Sequence, residues 1–142
     1  MKTARQLLEE KAPGTVSIAP EASVFEALVL MSERDIGALI VLQGETLAGI
    51  LSERDYARKV ILLGKSSREL RVSEIMTHRV ICVGPDQLVD YCMALMTEKR
   101  CRHLPVVEDK RVIGVLSIGD LVKETILEQK FLIAQLESYI MT

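Results

Sequence analysis

Apolar residues recur along the chain at two alternating spacings. Around residues 24–31, and again around residues 89–96, they stand three and four positions apart, which is typical of one buried face of a helix. Each of these segments is followed by two short apolar runs, which fit strands that helices cover on a face. The pattern therefore predicts a helix and two strands, twice over. The helix-face residues are Val24, Ala27, Leu28 and Met31, then Val89, Cys92, Met93 and Met96, and the strands are Ala38–Leu42, Leu47–Leu51, Leu104–Val107 and Val112–Leu116.

Each group of a helix and two strands has a short extended segment before it and a second helix after it. The extended segments are Val16–Ile18 and Ile81–Val83, and each leads to a proline. The second helices are predicted to begin after a serine, at Ser52 and Ser117. Both halves of the chain therefore have the order β-α-β-β-α.

The two halves of the chain are similar in sequence. Shifting the chain by 65 residues lays Val16–Tyr56 on Ile81–Leu121 without a gap, with 11 identical residues in 41 positions. Such self-similarity indicates two stacked copies of one supersecondary unit. The predicted fold is α/β, with two pseudo-symmetric β-α-β-β-α repeats packed as one module. We expect residues 1–65 to form the first repeat with an N-terminal helix, and residues 66–142 to form the second repeat with a long C-terminal helix.

Three segments lie outside the repeats. Thr3–Lys11 is predicted to be a short amphipathic helix that ends at Pro13 and Gly14, and Gly64–Met76 a connector with one short helical turn. Lys123–Met141 is predicted to continue the last helix. Its apolar stripe needs a partner, because an isolated helix of this size is marginal in water. The stripe consists of Ile126, Ile133, Leu136 and Ile140.

The charge balance and the apolar runs argue against several classes of protein. The formal net charge of −2, from 18 basic and 20 acidic residues, gives no large field for nucleic acid or anionic membranes. The apolar runs are too short to cross a bilayer. The first fourteen residues contain acids and no apolar core, unlike a secretory signal. We therefore expect no membrane and no nucleic acid among the partners.

The three cysteines are predicted to be reduced thiols. Cys82, Cys92 and Cys101 are odd in number, and neither they nor the two histidines have the spacing of a zinc site. Each cysteine stands in an apolar, periodic context. We therefore expect core or pocket-wall thiols, no metal site and a cytoplasmic location.

Two segments at strand-to-helix junctions could carry chemistry. GILSERD (Gly49–Asp55) and GVLSIGD (Gly114–Asp120) share the form Gly-apolar-apolar-Ser-x-x-Asp. A structural interpretation is that the serine and the acidic residue form the capping box of a helix. A functional interpretation is that the helix start binds an oxygen-rich ligand, with the carboxylate accepting both hydroxyls of a ribose.

Two features of these segments favour the functional interpretation. The glycine, serine and aspartate recur in both copies, whereas the residues between the serine and the aspartate differ completely. In addition, aspartate is shorter than the glutamate that closes a capping box best. The structural interpretation nevertheless stays open at this point.

The chain resembles a tandem cystathionine β-synthase (CBS) domain pair, or Bateman module, of the stand-alone bacterial type. The resemblance extends from about Thr15 to Lys123. It rests on PEASVFEALVLM, IGALIVL and GILSERD in the first copy, and on EIMT, EKRCRHLPVV and GVLSIGDL in the second. It implies two repeats related by a pseudo-two-fold axis, with two clefts between them for adenosine-containing ligands.

The resemblance also implies a binding role for particular residues. Grouped by role, these are Asp55 and Asp120 for the ribose hydroxyls, Ser52 and Ser117 for the ribose–phosphate side, the backbone of Thr15, Val16, Val80 and Ile81 for adenine, Ile50 and Val115 against the ring, and Arg102 and His103 for phosphate.

The two copies differ in their basic residues. The positions that match Arg102 and His103 in the first copy carry no charge, and the position that matches Arg54 in the second is a glycine. The two clefts are therefore expected to hold phosphate unequally. Asp55 with Arg54, Arg102 and His103 is the predicted stronger pocket, unless both phosphates point into one shared central groove.

The expected function is that of a regulatory sensor of an adenine nucleotide. AMP is the first candidate ligand, and ADP, ATP and NAD(H) are others. No catalysis is expected, because His103 has no nucleophile pattern near it. A symmetric homodimer and a regulated partner protein are also expected. Two alternatives are an S-adenosylmethionine sensor and a ligand-free interaction module.

Overall fold

The computed structural model describes residues 1–12 and 14–140, so that Pro13, Met141 and Thr142 lie outside the described residues. The first repeat follows the predicted order, the second follows it from its first helix onward, and a short helix precedes each repeat. In chain order the elements are α1 (Ala4–Glu9), β1 (Ser17–Ile18), α2 (Val24–Arg34), β2 (Ala38–Gln43), β3 (Thr46–Ser52), α3 (Glu53–Leu63), α4 (Val72–Ile75), α5 (Val89–Lys99), β4 (His103–Glu108), β5 (Arg111–Ser117) and α6 (Ile118–Ile140).

The chain divides into two compact units, each of which contains most of one repeat. The first-repeat unit consists of residues 14–80 and 109–113. The second-repeat unit consists of residues 1–12, 81–108 and 114–140. The N-terminal helix α1 thus groups with the second repeat, although the sequence order placed it with the first. The predicted boundary between residues 65 and 66 stays a prediction.

The first-repeat unit is built on a three-stranded sheet. β1 pairs with β2 in parallel, and β2 pairs with β3 in antiparallel fashion, with Ile40 opposite Ile50. The predicted face of α2 supplies Val24, Ala27 and Met31 to the core, each 4% exposed or less. α3 ends at Gly64, whose φ of 66° lies in the left-handed region that favours glycine.

The second-repeat unit has a smaller sheet, in which β4 pairs with β5. The strand predicted at Ile81–Val83 is reduced to a single parallel bridge between Val83 and Val106. In the first repeat the Ile40 amide donates to the Val16 carbonyl at 3.3 Å. The matching position in the second repeat is Pro105, which has no amide hydrogen to donate, so the pairing cannot extend in the same way.

Helix α1 joins the second-repeat unit through backbone hydrogen bonds. The Ala4 amide donates to the Gln87 carbonyl at 2.8 Å, and the Arg5 amide donates to the Pro85 carbonyl at 2.9 Å. Ala4 and Leu7 are buried there. These long-range bonds, rather than sequence adjacency, determine which repeat α1 belongs to.

The flanking segments largely follow their predictions. α1 is shorter than the predicted Thr3–Lys11, with Thr3 as its N-cap, and α4 is the predicted helical turn of the connector. α6 is helical through Ile140, whereas the predicted helix end at Met141 and the predicted stop at Pro13 lie outside the described residues. Within residues 1–12 and 14–140, no helix combines the length and apolar character needed to cross a membrane.

Candidate functional site

In the first repeat, the motif aspartate is fully engaged by neighbouring groups. The Asp55 amide donates to Ser52 Oγ at 3.1 Å, and Asp55 Oδ2 accepts the Ser52 amide at 3.0 Å, which closes a capping box at the start of α3. The Ser52 hydroxyl also donates to Oδ2, at 3.1 Å. The other oxygen, Oδ1, accepts from the Thr77 hydroxyl at 2.9 Å and lies 3.0 Å from Lys59 Nζ. The residue is 8% exposed, so a ligand would have to displace an existing partner.

In the second repeat, the motif aspartate is less enclosed. Asp120 Oδ2 accepts the Ser117 amide at 2.8 Å, and the Asp120 amide donates to Ser117 Oγ at 3.2 Å. Lys11 Nζ donates to the same Oδ2 at 2.9 Å and to the Val115 carbonyl at 2.9 Å. The side chain of Asp120 is 26% exposed, compared with 11% for that of Asp55.

Asp120 is also held in its charged form. Burial raises the pKa of its carboxyl, but the hydrogen bond from the Ser117 amide and the ion pair with Lys11 outweigh burial, so the pKa lies below its ordinary value. The Asp120 carboxylate is therefore ionised at neutral pH and can accept hydrogen bonds.

The shared glycines of the two motifs have a packing role. A Cβ added to Gly49 would lie 2.7 Å from the Thr77 carbonyl oxygen and 2.9 Å from the Met76 sulfur. A Cβ added to Gly114 would lie 2.5 Å from Leu8 Cδ2. In both repeats a segment from outside the repeat covers the glycine, which requires the close approach that only glycine allows.

The interpretation of the two motifs as capping boxes is therefore confirmed. Both Asp55 and Asp120 close the hydrogen bond back to the capping serine, so the shorter aspartate fills the role that glutamate has in a capping box. The glycines recur because other side chains and backbone pack against them. A ribose role for the aspartates stays a prediction.

The remaining predicted residues fall into two sets, one in each unit. The Ile50 amide donates to the Thr77 carbonyl at 3.0 Å, and the Thr77 amide donates to the Ile50 carbonyl at 2.8 Å. The Arg102 carbonyl accepts the Ile118 amide at 2.9 Å, which places Arg102 beside the start of α6. The first-repeat unit contains Thr15, Val16, Ile50, Ser52, Arg54, Asp55 and Val80, and the second-repeat unit contains Ile81, Arg102, His103, Val115, Ser117 and Asp120.

The predicted stronger pocket draws residues from both units. Asp55 and Arg54 belong to the first-repeat unit, whereas Arg102 and His103 belong to the second. Their meeting in one pocket stays a prediction. Within its own unit, Arg102 lies next to the helix start that Asp120 caps, and His103 begins β4 and is half-buried.

Sequence reasoning missed the groups that hold the two aspartates. Lys11 comes from the segment before the first repeat, and Thr77 directly follows the connector before the second. Leu8, and not Lys11, is the counterpart of Met76, because each packs on the motif glycine of its own unit. Alignment of the two halves at the offset of 65 residues therefore gives no signal for Lys11.

A small cavity lies beside Asp120. Its volume is about 80 Å³, which is room for about two or three water molecules. Lys11, Lys123 and the carboxylates Glu10 and Glu124 are among its lining residues. Lys2 pairs with both of these glutamates, at 3.2 Å from Glu124 Oε2.

The three cysteine thiols are buried or half-buried, and burial affects their protonation. Cys92 is buried, and Cys82 and Cys101 are half-buried. Burial raises the pKa of all three thiols, which keeps them protonated at neutral pH. This agrees with the expected core or wall positions.

The chain matches the sequence profile of the CBS domain over residues 12–61 and 72–126. It belongs to the CBS domain family. Each match covers one of the two repeats, so the resemblance inferred from the motifs is confirmed. A mitochondrial CBS domain-containing protein of Arabidopsis thaliana, CBSX3, is 42% identical over 123 residues, which make up 83% of this chain and 60% of that protein. The chain thus spans less than two thirds of that relative.

Solved structures of CBS domain proteins have the same fold. A protein with CBS domains from Burkholderia ambifaria is 49% identical, with a TM-score of 0.86 over 90% of this chain and 96% of its own. The CBS domain pair of protein MJ0100, solved with 5′-methylthioadenosine and S-adenosyl-L-methionine, is 25% identical, with a TM-score of 0.77 over 87% of this chain and 99% of its own. These similarities confirm the predicted α/β fold of a CBS pair.

Proposed function

We propose that this CBS pair is a regulatory module that binds an adenosine-containing ligand without chemically changing it. The observation that carries the proposal is the environment of Asp120. Its carboxylate stands at the start of α6, is ionised at neutral pH and is partly open to solvent. Such a group can accept the two hydroxyls of a ribose as charge-assisted hydrogen bonds.

The contacts of the two aspartates favour Asp120 as the first ribose site. Both oxygens of Asp55 already accept two hydrogen bonds or ion pairs each. The side-chain contacts described for Asp120 all converge on Oδ2. A diol can therefore reach Oδ1 of Asp120 at lower cost than either oxygen of Asp55. Asp55 would bind second, after Thr77 or Lys59 has given way.

The other predicted residues keep their roles in this proposal. Ser117, Ile81 and Val115 would surround the ligand at Asp120, and the matching residues of the first repeat would do so at Asp55. Arg102 and His103 would contact phosphate. The stronger phosphate pocket predicted at Asp55 depends on these two residues reaching across from the second-repeat unit, whereas Arg102 and Asp120 stand at the same helix start.

AMP remains the first candidate ligand, and ADP, ATP and NAD(H) share the diol and the phosphate that the basic residues would recognise. The S-adenosyl-L-methionine and 5′-methylthioadenosine bound by the MJ0100 pair support the nucleoside part and keep the alternative of an S-adenosylmethionine sensor. Both compounds share a ribose diol but lack a phosphate. The proposed ligand class is therefore defined by its ribose diol, and a phosphate on the ligand is the more specific part of the proposal.

The proposed output is a change in self-association or in contact with a regulated partner. We propose a homodimer, because the last part of α6 carries exposed apolar residues that a second copy would cover. A ligand would act by preferring one arrangement of the assembly over another. The exposed residues are Phe131, Leu132, Ile133, Leu136 and Ile140.

Thermal unfolding of the full chain with AMP, ADP, ATP, NAD⁺, NADH, S-adenosylmethionine and 5′-methylthioadenosine tests the proposal. A ligand at about 100 times its Kd stabilises by about 2.7 kcal/mol, which corresponds to about 5–10 °C for a chain of this size. A Tm that stays within about one degree for every compound at millimolar concentration would leave the ligand-free interaction module as the better account.

A further inference from the structure

Lys11 pairs with the Asp120 carboxylate, which the proposed function assigns to binding the ribose. Its ammonium group donates at 2.9 Å both to Asp120 Oδ2 and to the Val115 carbonyl. We propose that Lys11 is a selectivity residue, which makes the Asp120 site prefer ligands that carry a phosphate beside the ribose diol over neutral nucleosides. This inference rests on the proposed function and adds a residue from outside both repeats.

The contacts of Lys11 place it in competition with a diol. A ribose presents two hydroxyl donors, and both find acceptors most easily when the two carboxylate oxygens are available. Lys11 and the Ser117 amide already share Oδ2. A neutral nucleoside must therefore either use Oδ1 alone or displace the ammonium group, and displacement leaves that charge without its partner.

A phosphate on the ligand offsets the competition between Lys11 and the ribose diol. The 5′-phosphate of a nucleotide lies close to its ribose, well within the screening length of about 8 Å at physiological salt. If Lys11 stays on Asp120, its charge attracts the phosphate. If Lys11 is displaced, the phosphate offers it a new partner. In both cases Lys11 favours the anionic ligand, so the selectivity does not depend on which of the two occurs.

The charges around Lys11 leave Asp120 as its anionic partner. Glu10 and Glu124 line the same small cavity, but both pair with Lys2. Lys123 also lines the cavity, yet among the described residues the ion pair to Asp120 comes from Lys11. Lys123 therefore provides a control of equal charge in the same neighbourhood.

Methionine is the substitution that removes the charge of Lys11 with little change in the shape of the side chain. Lys11→Met replaces the ammonium group by an uncharged thioether and keeps a long, flexible, unbranched side chain. The Lys11 side chain is 40% exposed, so the substitution does not alter a buried core position.

The test measures the Kd of adenosine and of AMP for the full chain by titration calorimetry. Lys11→Met is expected to bind adenosine about two- to fivefold more tightly and AMP more weakly by a similar factor, because a half-exposed ion pair has about this strength. The ratio of the adenosine Kd to the AMP Kd should fall by about four- to twenty-fivefold. Lys123→Met should leave the ratio near that of the unmodified chain.

A second pair of variants locates the effect at the aspartate. In chains that carry Asp120→Asn, adding Lys11→Met should no longer tighten adenosine binding, because the carboxylate for which Lys11 and the diol compete is gone. Thermal unfolding without ligand checks that each variant is folded.

The outcomes separate this inference from the proposed function. If the unmodified chain binds AMP through Asp120 but Lys11→Met leaves the ratio unchanged or weakens adenosine, the inference is overturned and the proposed function stands. If the unmodified chain binds neither compound and Lys11→Met binds adenosine, Lys11 blocks the site and does not select for a phosphate, so the inference is overturned. If no variant binds either compound, both fail.

Discussion

The side chain of Leu8 lies directly against the α-carbon of Gly114, where an added Cβ would come within 2.5 Å of Leu8 Cδ2 and 2.9 Å of Cδ1. Helix α1 thus packs on strand β5 at a position where a side chain is excluded. The first repeat has the same relationship with a different partner, because the Thr77 carbonyl lies against Gly49. The neighbour is a flexible side chain in one repeat and backbone in the other.

This difference predicts unequal effects of two matched substitutions. Gly49→Ala should lower the free energy of unfolding by about 2–3 kcal/mol, because the Thr77 backbone, which is paired with Ile50, must move. Gly114→Ala should cost about 1 kcal/mol, since the tip of Leu8 can turn aside. Urea unfolding of both variants measures the two values.

Leu8→Ala provides the control for this prediction. Combined with Gly114→Ala, it should cost less than the sum of the two single changes, because the clash is removed. Combined with Gly49→Ala, it should be additive. Equal costs for the two glycine variants, or additivity in both combinations, would contradict the packing role of the glycines.

Much of the fold could be predicted because burial and capping are local properties of the sequence. Val24, Ala27 and Met31 recur with helical spacing, and all three are buried. Ser52 and Asp55 stand three residues apart, which is enough to predict their mutual hydrogen bonds. The extended segment at Ile81–Val83 was predicted too long, although Pro105 in the neighbouring strand is visible in the sequence.

The candidate site was less predictable because its partners are distant in sequence. Lys11 and Asp120 are 109 residues apart, and their ion pair exists only because α1 is bound to the segment before α5. No periodicity or spacing encodes such a contact. The motif residues were therefore identified from their type, whereas the groups that already occupy their carboxylates required the structure.

The hydrogen-bond geometry of the two aspartates predicts unequal losses of stability for the same substitution. In Asp55→Asn, the amide nitrogen must face donors in either orientation, because both oxygens of Asp55 accept hydrogen bonds. We expect a loss of about 1–3 kcal/mol of stability without ligand. In Asp120→Asn, the amide oxygen can take the place of Oδ2 and keep the cap, so the loss should be below about 1 kcal/mol.

The Asp120→Asn substitution is also expected to change ligand binding. Asp120→Asn should weaken AMP about ten- to a hundredfold, because charge-assisted bonds to the diol are lost. Unfolding curves without ligand and titration calorimetry with AMP measure the two effects separately. Normal AMP binding by Asp120→Asn at unchanged stability would mean that Asp120 serves only as a helix cap.

The exposed end of α6 predicts that self-association depends on this helix. Leu132, Ile133 and Leu136 are each more than half exposed, and their helical spacing places them on one side of α6, where they form an apolar surface that water disfavours. Sedimentation of the full chain should show a dimer, and a chain that ends at residue 129 should sediment as a monomer or associate far more weakly.

A charge placed on the same helix separates the apolar contact from the effect of truncation. Ile133→Glu should weaken the dimer strongly, at least about tenfold in its Kd, because one copy would bury a charge against the apolar surface of the other. Gln135→Glu adds the same charge at an exposed polar position of α6 and should change the Kd little. If the full chain sediments as a monomer, or if the two variants weaken the dimer equally, the end of α6 does not form the contact.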